Sequence, residues 1–165
     1  MTAIFSVIGA QKTYMENIRK PPDKTMAELS QIIDDFAFLD EWEDRYRYVI
    51  ELGKALPDLA DDKKTAEYKV QGCASQVWLV SHVKDESADP VMTFEGDSDA
   101  HIVRGLVAIV LATYSGKHAS EIVATDAIDT FNQIGLVEHL SSQRANGLRS
   151  MVKRIREEAR LKAAA

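Results

Sequence analysis

Cys73 is the only cysteine among 165 residues. It sits in the stretch Val70-Gln71-Gly72-Cys73-Ala74-Ser75-Gln76-Val77-Trp78-Leu79, behind a glycine and ahead of an apolar run. A thiolate at such a place can act as a nucleophile or carry sulfur. Gly72 lets the backbone take a tight or left-handed turn. Ala74 and Ser75 leave room around the sulfur, and a strand after the loop can brace it. One cysteine excludes an internal disulfide and any zinc site with a CxxC…CxxC pattern. A cysteine hydrolase needs a basic partner, and no histidine lies in the local sequence to serve as one. From the residues alone Cys73 stands as a candidate nucleophile or sulfur site, against the alternative of an inert packed thiol.

Other constellations fail on spacing. Gly53-Lys54 and Gly116-Lys117 lack the upstream glycine of a phosphate-cradling loop. Asp97-Ser98-Asp99 opens like a calcium loop, yet Ile102 stands at the sixth position and Ala108 at the twelfth. His82, His101, His118 and His139 show no ligand spacing and read as surface or cap residues. No HExxH and no GxSxG occurs.

The elements around Cys73 read as helices, then strands, then helices. Thr25 and Glu28 form a capping box ahead of Met26, Leu29, Ile32, Ile33 and Phe36, which recur at helical spacing. A second helix starts at Asp40, carries Trp42, Tyr46, Val49 and Ile50, and ends at Gly53 and Pro57. Tyr68–Val70, Val77–Val80 and Val91–Phe94 read as three strands of an antiparallel meander, the second apolar on both faces. Asp97 or Ser98 caps an apolar helix that Gly116 stops. Short helices around Glu121–Val123 and Ala127–Gln133 follow. Ser141 or Ser142 caps the last helix, with Leu148, Met151, Val152 and Ile155 as its buried stripe. This order predicts an α+β fold, a three-stranded antiparallel sheet packed against helices. Trp42 and Trp78 are read as core.

An apolar fraction of 45% and a charged fraction of 28% suit a globular domain. A net charge of −6 argues against nucleic acid as the partner. No apolar run is long enough to span a bilayer, and the start MTAIFSVIGA lacks the basic residues of a signal peptide. Acidic residues crowd positions 34–62, while the last helix from Arg144 on is rich in Arg and Lys. Two solvated faces explain this, as would a pair of docking surfaces.

The cysteine stretch resembles the signature of the SufE/CsdE family of sulfur acceptors. Trp42-Glu43-Asp44-Arg45-Tyr46, Leu52-Gly53-Lys54, Leu56-Pro57, Gly96-Asp97-Ser98-Asp99-Ala100, Arg104-Gly105-Leu106 and Ser142-Gln143-Arg144-Ala145-Asn146-Gly147-Leu148 match family patterns in order, over about residues 26–160. The resemblance implies an IscU-like α+β domain over 23–165, behind an N-terminal extension of 1–22. It implies that Cys73 takes persulfide sulfur from a cysteine desulfurase of the SufS/CsdA type, which uses pyridoxal phosphate. The chain would stimulate that enzyme and pass sulfur towards an iron–sulfur scaffold, with no cofactor of its own. It further implies a cytoplasmic monomer or weak homodimer. Arg144 matches a family position near the cysteine loop, where a cation favours the thiolate. Gly72, Ser75, Gln76, Asp97 and Asp99 are expected to support the loop or meet the partner. The alternative is a regulator that docks on a desulfurase, or on another partner, without chemistry at Cys73.

Overall fold

The computed structural model describes residues 28–164. The extension 1–22 and the Thr25 end of the capping box lie outside the described residues. Helix α1 (Leu29–Phe38) buries Ile32 and Phe36. Helix α2 (Trp42–Ala55) starts at Glu41 with no side-chain cap, so Asp40 does not serve as its cap. Nor does Gly53 end it. An added Cβ on Gly53 would stand 2.8 Å from the Gly105 amide nitrogen, and one on Gly105 would collide with the Val49 backbone. The two glycines thus let α2 and the apolar helix α3 (His101–Tyr114) touch backbone to backbone. That packing outweighs the low helix propensity that made Gly53 look like a stop.

The sheet is antiparallel and ordered β1-β2-β3, with β1 Val77–Val83, β2 Val91–Ser98 and β3 Lys117–His118. The third strand therefore follows α3. Tyr68–Val70 contributes only an isolated bridge, Lys69 to Trp78, and is not a strand. Two residues of β3 carry no alternating pattern that a sequence could display. Gly116, with φ at +84°, ends α3 as expected, and its amide donates to the Met92 carbonyl as the chain turns back beside β2.

Val77 and Leu79 of β1 join Met92 and Phe94 of β2 in the main core beneath α3. Trp78 and Val80 point the other way and are covered by Leu59 and Tyr68. The doubly apolar β1 is thus covered on both faces, as its sequence predicts. Ala100 is the N-cap of α3, without a side-chain cap. Asp97 and Ser98 belong to β2, although the Ser98 hydroxyl accepts from the Ala100 amide at 3.2 Å. Helices α4 (Ala119–Ala124) and α5 (Ala127–Gln133) precede the long α6 (Ser142–Ala164). The Ser141 hydroxyl accepts from the Arg144 amide at the start of α6, and Leu148, Met151, Val152 and Ile155 are buried. No helix among the described residues is long and apolar enough to cross a membrane.

Candidate functional site

Cys73 lies at the tip of a hairpin laid on α6. The Val70 amide donates to Val77 O at 2.8 Å and the Leu79 amide to Tyr68 O at 2.9 Å, closing a loop over residues 71–76. Gly72 turns it with φ at +88°, a conformation that favours glycine. A side chain there would also strike Ser150, whose Oγ would be 2.7 Å from the new Cβ. Cys73 is half-buried, and its thiol donates to the Gly147 carbonyl with Sγ···O at 3.6 Å. The hairpin can sit this low because Gly147 has no side chain, and a Cβ would stand 3.3 Å from Sγ.

Each limb of the hairpin is fastened separately. On the exit limb the Gln76 amide donates to Asp99 Oδ1 at 3.0 Å, and the Asp99 amide donates back to Gln76 O at 3.3 Å. On the entry limb Arg154 donates to Lys69 O at 2.7 Å and Glu67 O at 2.9 Å. Gly147, Ser150 and Arg154 follow at steps of three and four, so one face of α6 meets the tip and the entry limb of the hairpin.

A cavity of about 470 Å³ opens beside Cys73. Val103, Leu106 and Met151 give it an apolar side, and Ser75, Ser141, Gln143 and Arg144 a polar one. Among the described residues no histidine lines it, and a histidine is the base expected beside a hydrolase cysteine. Burial pushes the Cys73 thiol above its usual value. With the hairpin closed the neutral thiol is favoured, opposite in direction to the thiolate support expected of Arg144. Among the described residues, no group of three or more His, Cys, Asp or Glu is placed to hold a metal ion.

The structure therefore gathers Gly72, Ser75, Gln76, Asp99 and Arg144 around Cys73. Asp97 is elsewhere. It pairs with Trp78 in the sheet, is buried, and accepts from Arg104 at 3.0 Å and from the Leu59 amide at 3.3 Å. Ser150 and Arg154 were not singled out by sequence. Their spacing is helical, but neither is apolar, so no periodic stripe marks them.

Comparison with known proteins places the chain in a family. The family model described as SufE, Fe-S metabolism associated domain, matches residues 30–159. An uncharacterized SufE-like protein of Rhizobium etli is 76% identical over 140 residues, spanning 85% of this chain and 95% of that protein. One from Rhizobium meliloti is 72% identical over 134 residues, spanning 81% of this chain and 96% of its own length.

Proposed function

The chain belongs to the SufE family of Fe-S metabolism associated domains, and on that premise we propose that it accepts sulfur on Cys73 from a cysteine desulfurase and delivers it for iron–sulfur cluster assembly. The observation that carries this reading is the placement of the only cysteine, at the tip of a fastened hairpin and beside a cavity of about 470 Å³. The partner supplies a persulfide, formed with its own pyridoxal phosphate, and this chain needs no cofactor. The Cys73 thiolate attacks the outer sulfur of that persulfide. A new S–S bond forms on Cys73, the partner's S–S bond breaks, and the partner's cysteine leaves as a thiolate. Oxidation level is conserved, because one sulfur has only changed hands.

The closed hairpin sets the order of events. Sγ on the Gly147 carbonyl is half-buried, so the hairpin must lift before a protein-borne persulfide can reach it. Lifting hydrates the thiol and brings its pKa down towards the ordinary range, which raises the thiolate fraction when the partner is docked. Closing returns the new Cys73–S–SH to the cavity, away from oxidants that would carry it up the sulfenic–sulfinic ladder. Arg144 then offers a cation to an anionic sulfur. The reaction belongs to the cytoplasm, where thiols stay reduced.

A second reading, docking without sulfur transfer, draws on the raised thiol of the closed hairpin. Cys73→Ser separates the two. Sulfur transfer requires that the variant bind the desulfurase and fail to stimulate it, and normal stimulation would sink the proposal.

A further inference from the structure

We propose that Arg154 is a positioning residue for sulfur uptake, a latch that holds the entry limb of the Cys73 hairpin down on α6. The two limbs are unequally supported. The exit limb runs into β1, which pairs with β2 over seven residues, from Val77 opposite Ser98 to Val83 opposite Met92. The entry limb has a single isolated bridge, Lys69 to Trp78, outside the three strands of the sheet. Val70 is its one buried side chain between residues 66 and 72. Against that weak pairing stands the Arg154 guanidinium, whose planar fork reaches two carbonyls, those of Glu67 and Lys69. Glu158, one turn along α6, accepts from Arg154 Nε at 3.2 Å and steadies it. The Arg154 side chain is 24% exposed; its bond to Lys69 O is partly buried, while the bond to Glu67 O lies at the surface. Releasing them frees the limb whose lifting takes Gly72 off Ser150 and Cys73 off Gly147.

Arg156 provides a matched control two residues further along. It also grips a backbone carbonyl, in the last turn of α4, donating to Val123 O at 2.8 Å and 3.3 Å and lying 3.8 Å from Asp126, but none of these bonds reaches the hairpin. Its loss weakens the fold to a similar degree while leaving the latch in place.

The consequence for sulfur transfer rests on the function proposed above, but the test does not need a desulfurase. The alkylation rate of Cys73 by iodoacetamide is followed by intact mass in the full chain and in R154A, R154K and R156A. The latch predicts that R154A reacts about tenfold faster, as expected for the loss of two hydrogen bonds from a charged donor. R154K, which keeps the stem and one cationic head, falls between R154A and the parent. R156A stays within about twofold of the parent, by the same reasoning about bonds that do not touch the hairpin. R154A matching the parent, or R156A accelerating as much as R154A, overturns the proposal. Should circular dichroism show R154A unfolded, R154K decides: faster alkylation supports the latch and an unchanged rate refutes it. A failed latch in a chain that still accepts sulfur leaves the proposed function standing. The expected alkylation pattern in a chain that accepts none leaves the latch standing.

Discussion

Arg104 and Arg154 each fasten a segment by its backbone carbonyls, the end of α2 in one case and the Cys73 hairpin in the other. Arg104 reaches Gly53 O at 2.7 Å and Leu56 O at 2.6 Å. It also binds the Asp97 carboxylate, and the segment it holds drives Leu59 against Trp78 and Val80. Lys64 closes the same corner, 3.5 Å from Asp97 and 5.8 Å from the centre of the Trp78 ring. That region has an apolar anchor and a buried charge pair. Arg154 holds a hairpin with a cavity at its side and the Cys73 sulfur at its tip. The same side chain type serves two ends. Over the cluster of Leu59, Trp78 and Val80 it locks the fold, and on the latch proposed above it holds a hairpin that opens.

The comparison is broken most directly at Arg104. Arg104→Met leaves the buried Asp97 carboxylate short of its main cation and costs about 3 kcal/mol of stability. Urea denaturation measures the loss, and Cys73 alkylation in the folded chain stays within about twofold of the parent, since none of the Arg104 bonds reaches the Cys73 hairpin. A tenfold change in alkylation would mean that the two regions are one unit. Gly72→Ala acts on the other side. The positive φ and the contact with Ser150 together cost about 1–2 kcal/mol, and alkylation accelerates because the closed hairpin bears the strain. Gly147→Ala costs less, about 1 kcal/mol or under, since its Cβ meets Sγ at 3.3 Å and the hairpin can yield. Its main effect is faster alkylation of a displaced thiol. Smallest is the pH effect. Burial disfavours the thiolate, so the folded chain reaches half its maximal alkylation rate at a higher pH than the same chain unfolded in urea.

The two regions also differ in how far the sequence exposes them. Cys73 and Gly72 announce the hairpin, because a lone cysteine after a glycine is a local pattern. The apolar periods of α1, α3 and α6 and the two-sided β1 fix the α+β class, since each element shows its buried face in its own residues. What binds the hairpin is not local. Arg154 stands 85 positions from the carbonyl of Lys69, and Gly147 stands 74 from Cys73. Asp97 misleads for the same reason: ahead of a helix it reads as a cap, whereas Arg104, seven residues on, draws it into an ion pair. The third strand is hidden by its length of two residues, and Gly53 by a partner helix that only the fold brings near.

The central claim is that Cys73 is a sulfur acceptor. It is tested by incubating the full chain with an active cysteine desulfurase and free cysteine, then reading intact mass with and without dithiothreitol. The account predicts a gain of about one sulfur atom, removed by the reductant and absent from Cys73→Ser. An unchanged mass, with a desulfurase shown to bind this chain and turn over, would contradict it and leave Cys73 as a packed residue beneath a docking surface.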